Sequence, residues 1–255
     1  MGVAPVAAPV VGGQLLRVTD WRGVFGVLAG FEMLALLVAA WRVEEARAPL
    51  DRSAGAAVRD SLRTYRRLLG DPGVLLPAAT LGACAAALSG YIAGSSFALQ
   101  EQYGLSAQAF SLAFGGVGLG ILVVEEANRR LVGRIRPVTL LRTGAVQLFA
   151  GGVFLVVAVA AGWSVGVVIL ALLVAISSIG LVFPNATTLA MADHPDDAGS
   201  AGALLGLLQF LMGGLAAPLV GLGGEDTASS MALVVVAAGL AATLISQVTR
   251  ATRMG

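Results

Sequence analysis

Few side chains in this sequence can carry acid–base, nucleophilic or metal chemistry, and their settings differ. Glu32 lies within FGVLAGFEMLALLVAAW, an otherwise uncharged apolar run. An ionisable group at mid-membrane costs about 2.5–3.5 kcal/mol on insertion scales, and desolvation favours the neutral form of a carboxyl. Glu32 is therefore the proton-coupling candidate, or a group that recognises a cation. The plainer readings are a neutral carboxyl hydrogen-bonded to a neighbouring helix and a side chain reaching headgroups through a register shift. Glu125 and Glu126 are followed by Arg129 and Arg130. This is an i, i+4 spacing twice, with the acid first, the favourable order on a helix. It reads as a cytoplasmic charge cluster pinning a helix end, and secondarily as a gating contact.

The remaining chemistry is sparse. His194 is the only histidine and stands in a polar loop; Cys84 is the only cysteine and lies in an apolar run. No disulfide framework or cysteine metal site can be built, and a zinc site or Ser-His-Asp triad would have to form around His194. No nucleophile, base or metal ligands cluster, so no metal site or enzymatic activity is expected. Gly115, Gly116, Gly118 and Gly120 follow no strand, which rules against a nucleotide loop and predicts helix-contact faces. Tyr91, Phe97, Phe110, Phe114, Gln209 and Phe210 combine aromatic faces with an amide. Such a set suits a cavity for an amphiphilic small molecule, although ordinary helix packing accounts for any one of them.

The elements that must position these residues follow from composition. Hydrophobic residues make up 57% and charged residues 12% of the 255. Soluble domains carry about 25% charged residues, so this chain lacks the polar groups to cover a globular surface. The mean hydropathy of +0.87 agrees. The expected class is an all-α polytopic membrane protein. Apolar segments run over roughly 1–16, 23–41, 74–99, 106–124, 138–160, 164–188, 198–222 and 229–248, about eight spans. Barrel-type alternation is absent. The net charge of +1 carries no sign of a nucleic-acid partner, and none is expected.

Arginine sets the orientation. With alternating spans, one side collects Arg42 to Arg67, Arg129 to Arg142, and Arg250 and Arg253, leaving Arg17 and Arg22 on the other. Basic residues stay in the cytoplasm, which predicts both termini inside. The one long connection holds Val58, Leu62, Tyr65 and Leu69 at helical spacing with Arg59, Arg63, Arg66 and Arg67 between them. It reads as a basic amphipathic helix on the inner membrane face. Three parts are predicted: residues 1–42 with two spans, a cytoplasmic linker at 43–73, and a six-helix part at 74–255. An internal echo supports the division. Ala8-Pro9-Val10-Val11-Gly12 in the first span matches Ala217-Pro218-Leu219-Val220-Gly221 in the seventh, the interval expected of two parallel six-helix halves.

Three stretches resemble the major facilitator superfamily, in particular its bicyclomycin and chloramphenicol/florfenicol (Bcr/CflA) branch of drug/proton antiporters. APVAAPVVGGQL with DWRGVF resembles the antiporter motif of helix five, carried here by Pro9, Gly12 and Gly13. YIAGSSFALQEQYGLSAQAFSLAFG resembles helices seven and eight, and FPNATTLAMADHPDDAGSAGALLGLLQFLMGGLAAPLVG resembles helices ten and eleven. Ala4 and Ala8 stand where the motif prefers glycine, and Ser95-Ser96 where this branch often has Ser-Pro. The resemblance implies a partial major facilitator fold beginning within the fifth of twelve helices. The chain is then expected to be a fragment, or a reading frame begun at an internal Met. It also implies multidrug efflux by drug/proton antiport in the bacterial inner membrane. The proton gradient would drive it, with no cofactor. Expected partners are a small amphiphilic drug or metabolite, protons and the bilayer. A sugar or amino-acid exporter of the same fold and a non-transporting remnant are the alternatives.

The orientation is testable in a Cys84→Ala background. Cysteine placed at Ser53 is expected to escape an impermeant thiol reagent in intact cells, and cysteine at Thr227 to label. The reverse pattern would sink the orientation.

Overall fold

The computed structural model describes Leu15 and residues 18–42, 54–192, 194, 197–224 and 226–249. The first expected span, with Pro9, Gly12 and Gly13, lies outside the described residues. Among those described, the regular elements are helices, with one isolated bridge between Val132 and Ile135. Seven segments among the described residues are long and apolar enough to cross a membrane. The chain divides into two units, Met1–Asp60 and Ser61–Gly255.

The first unit contains α1 (Trp21–Arg42), whose middle carries Glu32. Most of its described side chains are exposed, Glu32 included. Helix α2 (Ala54–Leu69) runs across the division between the units. Its Leu62 and Leu69 are exposed, while Leu68 is fully buried in the core of the second unit.

The second unit is a helical bundle. It comprises α3 (Pro72–Ser96), prolonged by a π-helical turn at Phe97–Gln102, then α4 (Ala107–Leu131) and α5 (Pro137–Ala160). It continues with α6 (Val165–Ser177), α7 (Ile179–Ala192), α8 (Ala198–Gly221) and α9 (Thr227–Val248). Local chemistry fixes several starts. Asp71 accepts from the Gly73 amide at 2.7 Å and precedes Pro72, the favoured cap and first-turn pair. Ser106 caps α4 through the Ala109 amide. Gly162, at φ 65°, closes the α5–α6 turn in a conformation that costs glycine little.

Helix α9 packs against both α3 and α5; α3 also meets α8 and α7, and α5 meets α6 and α7, on which α4 rests. The seam on α5 is visible in its spacing: Leu141, Leu148 and Leu155, seven residues apart, are all fully buried. Between lipid-exposed helices there is no hydrophobic drive beyond what lipid already offers, so close backbone approach supplies the attraction. A Cβ on Gly151 would stand 2.6 Å from the Ala175 backbone, one on Gly239 2.7 Å from that of Phe149, and one on Gly152 2.8 Å from that of Val236.

One expectation needs correction, and one span carries an internal break. The span placed at 164–188 is present as Val165–Ala192. It breaks at Ser178 and continues to Ala192, because the Ser178 amide turns to the Ala175 carbonyl at 3.3 Å. Gln147 on α5 supports the break by donating to the Val174 carbonyl at 3.0 Å and to the Ser177 hydroxyl at 3.1 Å. The α4 glycines, expected as a helix-contact face, do not form a continuous one: a Cβ at Gly115 or Gly116 would meet open space, whereas one at Gly120 would reach a neighbouring helix, at Leu173 and Ser177.

Gly151→Ala forces backbone apart where α5 crosses α6, and overpacking of that kind costs about 1–3 kcal/mol. Gly116→Ala gains helix propensity, about 0.8–1.0 kcal/mol, with nothing to strike. Thermal unfolding in detergent is expected to fall for the first and to hold or rise for the second. Equal Tm values for the two variants would refute the packing argument.

Candidate functional site

The bundle brings three of the expected site residues together. Tyr91 on α3 stacks on Phe114 of α4, ring centres 5.3 Å apart and planes 15° from parallel. Phe110, one turn earlier on α4, lies 5.7 Å from Phe114 at 48°. Offset stacking and tilted pairs are the favourable aromatic arrangements. Tyr91 is 3% exposed, and both phenylalanines are half-buried. One turn beyond Tyr91, the Ser95 hydroxyl is buried with no hydrogen-bond partner among the described residues. An unmet hydroxyl in an apolar interior costs free energy until something pairs with it, so Ser95 adds an unused polar group one turn along the same helix.

The other cavity candidates have different settings. Phe97, in the π turn, is 54% exposed; Phe210 on α8 is 78% exposed; Gln209 is half-buried. Neither Phe97 nor Phe210 makes a ring contact with the trio among the described residues.

The charge cluster on α4 forms, with different pairing. Glu126 receives both arginines: Arg129 through two nitrogens at 2.7 and 2.9 Å and Arg130 at 2.8 Å. The expected Glu125–Arg129 pair gives way because the i, i+3 reach lets the Arg129 fork take a carboxylate bidentately. Both arginines are largely exposed, so the cluster contributes little to stability.

Three polar groupings escaped the sequence reading. Asn185 of α7 donates to the Asn128 amide oxygen of α4 at 2.6 Å and to its own Leu181 carbonyl at 2.7 Å, both asparagines being buried. Gln102, at the end of the π turn, accepts from the Ala228 amide at 2.7 Å and donates to Asp226 at 3.4 Å. Hydrogen bonds from Ser229 and Gln102 hold the Asp226 carboxyl below its ordinary range; burial and the Asp226 charge push the Tyr103 phenol up.

The third joins the α2–α3 turn to the α7–α8 connection. His194 Nε2 lies 2.7 Å from Asp71, and Arg67 pairs with Asp197. The signal was present: an acidic stretch, Asp193 to Asp197, and a basic helix both occur in a chain poor in charge. What sequence could not supply was the fold that brings residues 71 and 194 together.

A model of the Major Facilitator Superfamily matches residues 1–217. The chain belongs to that superfamily. It is a multi-pass membrane protein, with helices, aromatic trio and polar clasps arranged as above. Curated relatives include an uncharacterized MFS-type transporter, YdgK, of Bacillus subtilis, 34% identical over 90% of this chain and 57% of the relative. A multidrug resistance protein, MdtM, of Salmonella typhimurium is 29% identical over 60% of this chain and 38% of its own length. A bicyclomycin resistance protein homolog of Haemophilus influenzae is 22% identical over 90% and 57%. The chain thus spans about half the length of the curated relatives it matches or less.

The clasp at Asp71 predicts an acid limb. Its carboxyl is lowered first by the Gly73 amide and then by His194. A depressed carboxyl contributes stability that is present above the ordinary carboxylate range and lost as pH falls through its folded value. Asp71→Asn keeps the cap to Gly73 and removes the charge. It is expected to lower Tm at neutral pH and to flatten part of the fall in acid. Parallel acid limbs for wild type and variant would remove Asp71 from the account.

Proposed function

We propose that the transporter to which this chain belongs exports small amphiphilic drugs in exchange for protons across a bacterial plasma membrane. The carrying observation is the Tyr91–Phe110–Phe114 cluster with the unpaired Ser95 hydroxyl along the same helix. Flat aromatic faces favour flat, amphiphilic molecules, and a single unmet hydroxyl orients a ligand without demanding one structure. The relatives named for multidrug and bicyclomycin resistance support that substrate class.

In this reading Glu32 carries the proton. A carboxyl in an apolar span is neutral when protonated and costly when charged, so proton exchange biases which conformation the helices prefer. The proton gradient supplies the energy, and rocking of two halves exposes the cavity alternately. The arginine-rich connections mark the cytoplasmic side.

Phe114→Ala removes a stacked partner worth about 0.5–1.5 kcal/mol. With this chain in its native context, drug resistance of a sensitive strain is expected to fall about two- to tenfold, with membrane abundance unchanged. Glu32→Gln keeps shape and hydrogen bonding and removes ionisation. Drug-induced proton movement in vesicles is expected to collapse. If Glu32→Gln transports normally across pH, Glu32 is structural. If sugar or amino-acid efflux changes while drug resistance does not, the substrate class is a metabolite.

A further inference from the structure

Helix α2 carries a pattern that transport does not use. In Arg59-x-x-Leu62-x-x-x-Arg66-x-x-Leu69 an arginine and a leucine recur after seven residues. At about 100° of rotation per residue these four side chains share one face, and all four are exposed. Leu68 projects roughly 140° from the middle of that face and is fully buried in the core. The core therefore takes up Leu68 at the end of α2 and leaves the arginine–leucine face outward. Arg67, on the flank, is committed to Asp197. Arg66 takes part in none of the ion pairs found among the described residues. Asp60 is the one acid in α2 against four arginines.

Depth is set by the neighbouring element. Helix α2 ends at Leu69, and the α3 span begins at Pro72 after the Gly70-Asp71 turn. Leu69 therefore stands where acyl chains give way to headgroups. At that level a leucine turns toward the acyl chains, while a neighbouring arginine extends its stem and places its guanidinium in the headgroups. A guanidinium takes a phosphate with two parallel hydrogen bonds. A zwitterionic headgroup cancels its phosphate with an amine, whereas an anionic one leaves a net negative charge for the arginines.

We propose that the Arg59, Leu62, Arg66 and Leu69 face of α2 binds anionic phospholipid headgroups in the leaflet at that end of the bundle. The site is independent of what is transported and of which side of the membrane that leaflet faces.

The test uses the whole chain, reconstituted in phosphatidylcholine vesicles with and without phosphatidylglycerol, then extracted and assayed for retained lipid by mass spectrometry. The wild type is expected to enrich phosphatidylglycerol over phosphatidylcholine, with the enrichment falling as salt rises. Arg59→Gln with Arg66→Gln is expected to reduce it by roughly fivefold per arginine, at unchanged helix content by circular dichroism. Removing the same charge elsewhere, with Arg134→Gln and Arg136→Gln, is expected to leave the enrichment in place. No enrichment in the wild type, retention in the Arg59/Arg66 variant, or equal loss in the Arg134/Arg136 variant would overturn the proposal.

Discussion

The structure rests on one constraint: no backbone polar group within the apolar interior can go without a partner, because lipid offers none. Regular helices meet it internally, and the polar side chains of the bundle serve the places where helices fail. At Ser178 the α6 ladder is interrupted, and Gln147 reaches from α5 to the Val174 carbonyl. At the end of α9, Arg142 collects the carbonyls of Ser246, Gln247 and Thr249 at 2.9–3.0 Å. A cation there also suits the negative end of the helix dipole. Asn185 donates to Leu181 within its own helix while holding Asn128 of α4. These residues look like scattered polar errors in an apolar sequence, and each completes hydrogen bonding that a helix break, a helix end or a helix contact would leave unmet.

The same constraint shapes the packing. Helices that satisfy their own backbones can attract one another only through contact, and contact improves as backbones approach. Gly151 at Ala175, Gly152 at Val236, Gly180 at Ile121 and Gly239 at Phe149 mark the crossings where a side chain would hold the helices apart. Helix α9, bearing Gly239 and meeting both α3 and α5, is thereby a central element of the second unit. The aromatic trio lies where α3 and α4 meet, away from these glycine crossings. Side chains rather than backbones fill that contact.

Formal charge is pushed to the helix ends and turns. Arg67–Asp197, His194–Asp71 and the Glu126 cluster lie at element ends or in connections. None is deeply buried, so each contributes modestly to stability and more to register, fixing which turn sits against which. Glu32 is the exception along the sequence, and the absence of other charge near it within its helix is what singles it out.

Composition and the spacing of apolar runs determined the class, the spans from Trp21 onward and most helix starts. A low-charge chain has one stable solution in lipid, and Asp71-Pro72 or Ser106 act within a few residues of themselves. The motif stretches determined the family for the same reason: they are contiguous. Tertiary structure alone decided the rest. The break at Ser178 depends on a donor thirty residues away or so in sequence, at Gln147. Which α4 glycines touch a neighbour depends on where α6 lies. Arg129 chose Glu126 over Glu125 because side-chain geometry, rather than spacing, ranks two available carboxylates. His194 meets Asp71 across 123 residues. Which cavity candidates make ring contacts, Tyr91, Phe110 and Phe114 among them, was likewise a tertiary matter, because a helix's period tells which residues share its face and leaves open what that face will meet.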